Sequence, residues 1–140
     1  MPAQDAALNQ ASPMHYTVDS EKSLYEATVD LRAAILRLGF NILQVQELGA
    51  PGTGWEVACD EDCTVFSLDN PRYAEHLLTR DMRCALALPW RIAVYTEAGS
   101  TRIGLVCPLA QLVALGIGAG AMAVAGEIEE KLRLMVDEAR

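Results

Sequence analysis

Between residues 21 and 38 the apolar residues return at helical steps. Leu24, Leu31, Ile35 and Leu38 fall on a single stripe. Such a stripe is stable only when buried, so the segment demands a second layer to pack on. Ser20, with Ser23 as its rival, can cap the start; Glu21 suits the positive end of the helix dipole, and Gly39 supplies a left-handed stop. β-compatible runs flank this helix at residues 14–19 and 40–45, where Phe40, Ile42, Leu43 and Val45 carry the apolar positions.

The rest of the chain repeats the alternation. Gly49, Ala50, Pro51, Gly52, Thr53 and Gly54 form the clearest loop. Short β-like runs at 55–58 and 64–68 surround Asp60, Glu61 and Asp62. Asn70 and Pro71 open a second helix to about Arg80, because Asn70 can accept from an orphan N–H and Pro71 lacks the donor that a first turn would waste. Tyr73, Ala74, Leu77 and Leu78 should face inward. Residues 84–88 and 91–96 read as β-runs bent at Pro89, which cannot donate to a ladder. Ala98, Gly99 and Ser100 form a hairpin turn, and residues 101–107 return as a strand ended by Pro108. A last helix over 121–138 puts Met122, Ala125, Ile128, Leu132 and Met135 on one face, with Glu130, Lys131 and Asp137 opposite.

The expected fold is therefore α+β: a single-domain two-layer α/β sandwich, a mixed sheet with three helices on one face, in the order β-α-β-β-α-β-β-α. Residues 14–46 and 63–96 faintly echo one another as β-α-β. At 140 residues one domain can bury its own core, and residues 1–13, small, polar and proline-flanked, read as a flexible tail before a domain at 14–140.

Charge excludes one class of partner. Eleven Lys and Arg against 19 Asp and Glu give −8, so the chain repels a phosphate backbone and nucleic-acid binding is not expected. Residues 1–70 hold all of the excess acid, and residues 71–140 balance. That asymmetry reads either as a solvated surface or as a dipole that attracts a second copy. Residues 109–126 carry no charge but are rich in Gly and Ala, so a buried loop and helix start is expected there rather than a membrane span. With no charged and apolar leader at the start, the expected location is cytoplasmic, with reduced thiols.

Several residues could carry chemistry. Cys59 and Cys63 enclose Asp60, Glu61 and Asp62, a set that could hold a zinc-like cation or form a reversible disulfide with Cys84 or Cys107 as further partners. The neighbouring acids raise a thiol's pKa, which speaks against catalysis; the ordinary alternative is two strand-end cysteines beside an acidic turn. No cofactor is expected. His76 has Arg72 and Arg80 one turn to either side, so all three share a helix face that could hold a small anion, aided by free N–H groups after Asn70. The bland alternative is an exposed polar face. Asp69 and Asn70 stand at a strand–helix junction, where α/β folds expose polar groups to ligands and where capping is equally served. Trp90 beside Pro89 could line a pocket, fill a dimer contact or pack the core. Gly116, Gly118 and Gly120 lack the Lys-Ser/Thr of a phosphate loop.

One stretch is similar to a known family. Val65-Phe66-Ser67-Leu68-Asp69-Asn70-Pro71 followed by a helix, then Ala85-Leu86-Ala87-Leu88-Pro89-Trp90 and Ile92-Ala93-Val94-Tyr95, resembles the two signatures of domain-of-unknown-function family number 302. Tyr16-Thr17-Val18, Gly39-Phe40 and Glu130-Lys131-Leu132 extend the resemblance over residues 14–138. It implies an α/β sandwich, commonly a homodimer, of no settled activity. Both signature cysteines are replaced, by Asp69 and Trp90, and Cys107 stands where the family tends to carry an acid. If Asp69 and Cys107 faced one pocket, acid and thiol would have exchanged places. The expected function is a small, non-catalytic binding or accessory protein, a homodimer, holding a small molecule or a protein partner near Asp69, Asn70, His76, Trp90 and Cys107. The alternatives are a thiol redox or metal-handling protein using Cys59 and Cys63, and an enzyme acting through Asp69 and His76.

Overall fold

A computed structural model of the chain describes residues 13–48 and 60–140. The expected tail, the glycine-rich loop at 49–54, the β-like run at 55–58 and Cys59 lie outside the described residues.

Strand β1 (His15–Ser20) leads into helix α1 (Leu24–Arg37). The rival cap wins here: Ser23 Oγ accepts from the Glu26 N–H at 3.1 Å and donates to the Glu26 carboxylate at the same distance. The Ser23 hydroxyl thus satisfies one orphan N–H of the first turn and also holds the Glu26 side chain. Gly39 closes the helix with φ +86°, the left-handed conformation expected of it. Strand β2 (Asn41–Leu48) follows, with a register shift between Ile42 and Gln44. The extra residue, Leu43, explains why two apolar side chains stand adjacent in the sequence, and it is left exposed.

Strand β3 (Cys63–Asp69) passes into α2 (Pro71–Leu78), capped by Asn70, whose Oδ1 accepts from the Tyr73 N–H at 3.1 Å. Residues 84–88 are not a strand. Met82–Ala87 forms a 3₁₀ helix, started by Asp81, which accepts from the Arg83 N–H and pairs with the Arg83 guanidinium. Cys84 is thereby turned into the core. Strands β4 (Trp90–Glu97) and β5 (Ser100–Val106) form a hairpin through Ala98 and Gly99, both at positive φ as a two-residue turn of this hand requires. The stretch expected as loop after Pro108 holds a short helix, α3 (Pro108–Ala114), before α4 (Ala119–Ala139). No helix among the described residues is long and apolar enough to cross a membrane.

The α+β two-layer architecture stands, with four α-helices and one 3₁₀ helix among the described residues in place of three. The sheet order is β1-β5-β4-β3-β2, and every neighbouring pair is antiparallel, which corrects the expected mixed sheet. The reason lies in the connections. β1 and β2 do run in the same direction across α1, but they occupy opposite edges with three strands between them. From β3 to β4 the chain leaves through α2, returns through the 3₁₀ helix and re-enters at the end it left. The apparent β-α-β echo thus hides two different crossings.

Alternation along the strands divides the sheet into two faces. Val18, Phe66, Leu68, Trp90, Ile92, Val94, Ile103 and Leu105 point to the helices and are buried with Ala27, Leu31 and Ile35 of α1 and Ile128, Leu132 and Met135 of α4. Among the described residues no helix packs on the opposite face. A row across it runs Thr17, Gly104, Ala93, Val65 and Gln46. Gly104 is glycine for lack of room, since a Cβ there would meet Thr17 Oγ1 at 2.7 Å.

Candidate functional site

Helices α2 and α4 lie side by side and leave a cleft of about 480 Å³ between them. From α2 it is lined by Arg72, Tyr73 and His76, with Asn70 at its mouth and Arg80 in the turn that closes the helix; from α4 come Val124, Glu127 and Lys131. The three positions Arg72, His76 and Arg80 project to one side because four residues make slightly more than one turn. Lys131 Nζ lies 5.8 Å from the centre of the Tyr73 ring. At the far end the Arg80 side chain runs along Gly120 and donates to the His76 carbonyl at 2.7 Å.

What singles out this cleft is unspent charge. Lys22, Arg37, Arg83, Arg102 and Arg133 each pair with a carboxylate. Arg72, Arg80 and Lys131 pair with none among the described residues, in a protein of net charge −8. Three positive groups gathered beside one carboxylate, Glu127, cost energy unless water or an anion screens them. The expected help from free N–H groups after Asn70 is mostly absent: Pro71 has none, and the Tyr73 N–H is taken by the Asn70 cap. Side chains, not backbone, would hold an anion here.

The other candidates lie elsewhere. Asn70 and His76 share the cleft, but Asp69 sits on the outer face of β3, opposite Asn41. Asp69 and His76 therefore do not form one catalytic pair. Trp90 neighbours Asp69 in the sheet yet points to the helices, 4% exposed, with its ring edge-on to Phe40 at 5.9 Å between centroids. It is core, and touches only a small crevice of about 60 Å³ with Pro89, Arg91, Val106 and Gln111. Carrying the Ile92–Leu105 pairing outward places Cys107 beside Trp90 on the inner face. Asp69 and Cys107 are thus on opposite faces with β4 between them, a separation of about 10 Å from strand spacing alone. No exchange of acid and thiol across one pocket takes place.

Cys107 instead belongs to a buried polar cluster that the sequence reading missed. It precedes α3 and makes no side-chain cap. Glu129, from the middle of α4 and only 7% exposed, reaches over to accept from the Leu109 N–H at 3.2 Å and pairs with Arg133 at 3.2 Å. The Arg133 guanidinium also approaches Cys107 Sγ at 3.8 Å and stacks on the Tyr16 ring, 4.6 Å from its centre. Tyr16 in turn donates to Asp137 at 2.6 Å; that hydrogen bond, burial and the carboxylate charge all raise the phenol's pKa. Only a Glu three residues off the polar face, amid Ile128 and Leu132, hinted at this in the sequence.

Two of the thiols, Cys84 and Cys107, sit where the thiolate is disfavoured. Burial, then the Glu129 charge, pushes Cys107 up; burial, then Asp81, pushes Cys84 up. Cys63 opens β3 on the outer face. Among the described residues no three His, Cys, Asp or Glu side chains gather as a metal would require. A raised folded-state pKa favours the neutral thiol, so its contribution is complete below the unfolded value of about 8.5 and is lost as pH rises through the folded one. Chemical denaturation should accordingly show stability falling from about pH 8.5 upward, with a shallower slope in Cys107→Ala. In the native protein at pH 8 Cys84 and Cys107 should react with a disulfide reagent about 100-fold more slowly than after unfolding.

A second groove, of about 430 Å³, separates α1 from β2 and β3 and is bordered by Leu24, Tyr25, Val29, Val45 and Leu48. Its cation, Arg32, is already engaged, 5.8 Å over the Phe66 ring.

The family model described as Domain of unknown function DUF302 matches residues 16–139. The chain belongs to the DUF302 family. A solved structure, the crystal structure of an uncharacterized conserved DUF302 protein from Bacillus stearothermophilus, superimposes with a TM-score of 0.84 at 23% identity, covering 92% of this chain and all of that one. At that identity the likeness establishes the fold that DUF302 chains share. No curated protein matches the chain. DUF302 is a family of unknown function, so the chemistry of this member rests on its own side chains.

Proposed function

We propose that this DUF302 protein is a small, non-catalytic cytoplasmic binding protein whose ligand is an anion seated between α2 and α4. The observation that carries the reading is the convergence of Arg72, Arg80 and Lys131, each without a carboxylate partner among the described residues, in one cleft with His76. Arginine forks bind oxyanions in a bidentate manner, and their exposure here leaves them accessible to a soluble ligand. Asp69, on the outer face of β3, does not line the cleft, and His76 shares it with Arg72, Arg80, Lys131 and Glu127 rather than a nucleophile, which supports binding over turnover.

Isothermal titration with inorganic phosphate and sulfate tests the reading. Saturable binding should appear, and a triple Arg72→Gln, Arg80→Gln, Lys131→Gln variant that melts normally should lose it. Binding that survives in that variant would place the ligand elsewhere.

The protein is further proposed to act as a homodimer through the helix-free face of its sheet. On that face Arg91 stands without a carboxylate partner among the described residues at one end of β4, while Asp19 and Glu97 share the single Arg102 at the other. A second copy, turned about a twofold axis lying across the strands, brings each Arg91 over the other copy's excess of carboxylate. Light scattering should return twice 15.2 kDa, falling to the monomer in Arg91→Glu. A monomer at micromolar concentration would remove this part of the proposal.

A further inference from the structure

The charges in the α2–α4 cleft are ordered along it, and the order selects among anions. Arg72, His76 and Arg80 follow at four-residue steps, a rise of about 6 Å each. Lys131 reaches the Tyr73 end, beside Arg72, whereas Arg80 marks the opposite end, next to Gly120. Glu127 enters from α4 between Gly120 and Lys131 and forms no ion pair among the described residues. The cleft thus presents cation, carboxylate, cation over about 12 Å.

A lone inorganic anion can use only one end and is repelled by Glu127. A molecule with an anionic group at each end satisfies both ends, and a hydroxyl between them donates to the Glu127 carboxylate, converting repulsion into a hydrogen bond. Resting on the reading of this cleft as an anion site, we propose that its ligand is a small polyol bearing an anionic group at each terminus. Bis-phosphorylated sugars and sugar dicarboxylates share that chemistry. Linking two anionic groups makes the second contact intramolecular, so the gain over a single anion is multiplicative.

Titration of the intact protein with four probes tests this: inorganic phosphate, fructose 1,6-bisphosphate, galactarate, and 1,6-hexanediol bisphosphate, which has two termini and no hydroxyl between them. Fructose 1,6-bisphosphate should bind about tenfold or more tighter than inorganic phosphate. Arg80→Gln should erase that advantage while leaving phosphate, held by Arg72 and Lys131, within about twofold. Glu127→Gln should strengthen the hydroxyl-free bisphosphate and weaken the polyol. Galactarate in place of the sugar bisphosphate as the tighter probe assigns the dicarboxylate source within the same class. If phosphate binds at the cleft and no two-ended probe exceeds it, the inference is overturned and the binding-site reading stands. If no probe binds, both fall. Both substituted side chains are solvent-exposed, and unchanged thermal melting confirms that each variant is folded.

Discussion

Trp90→Ala is expected to lower the free energy of unfolding by about 3–5 kcal/mol and the melting temperature by on the order of 10–15 °C. The indole is 4% exposed and fills the inner face of β4 between Leu68 and the row's continuation at Cys107. Its edge-on contact with Phe40 adds about 1 kcal/mol beyond the buried area. Truncation leaves a cavity that the surrounding strands cannot collapse into, because β3 and β5 hold β4 on both sides. Trp90→Phe should recover more than half of the loss. The same experiment separates two roles for this residue: a pocket-lining tryptophan would lose ligand affinity and keep its stability. Denaturant titration reads the first quantity, and titration with phosphate at the α2–α4 cleft reads the second, which should not change.

The second large effect concerns Glu129. Glu129→Ala should cost about 3 kcal/mol, because it removes two things at once. The Leu109 N–H in the first turn of α3 loses its acceptor, and the Arg133 guanidinium loses its counter-charge. Arg133 is about one-third exposed, so it can turn partly to water, which keeps the cost below that of a wholly buried orphan charge. Arg133 Nε is already buried without a hydrogen-bond partner, so the pair is strained for partners even before the change. A double variant, Glu129→Leu with Arg133→Met, should recover most of the stability, since it replaces both charges with packing. A double variant no more stable than Glu129→Ala would mean that the α3 cap, and not the charge, carries the effect.

Local rules were readable wherever neighbours in sequence do the work. Asn70 before Pro71 announced a capped helix and is one; the Ala98-Gly99 turn joins two strands; the α1 and α4 stripes are the buried faces. The short run at 84–88 misled because an apolar stretch of five residues has no period to distinguish strand from 3₁₀ turn. The candidate site was half legible. Arg72, His76 and Arg80 shared a face by helical geometry alone. Lys131 and Glu127 come from a helix nearly fifty residues away, and in the sequence they look like ordinary members of a solvated face. Asp69, Trp90 and Cys107 looked like one pocket because they stand at the positions where the resemblance places cysteines and an acid, yet a strand's two-residue period sends Asp69 and Trp90 to opposite faces of the sheet.

Sequence alone determined the long helices and most of the strands, that the two kinds form layers, and that the chain carries excess acid, since propensity, capping and periodicity act over a few residues. Only the tertiary structure decided that all strand neighbours run antiparallel, that Glu129 is buried, and that three unpaired cations meet across two helices. Those outcomes depend on which faces are buried together and on the distances between distant charges, and neither is written in any short window of the chain.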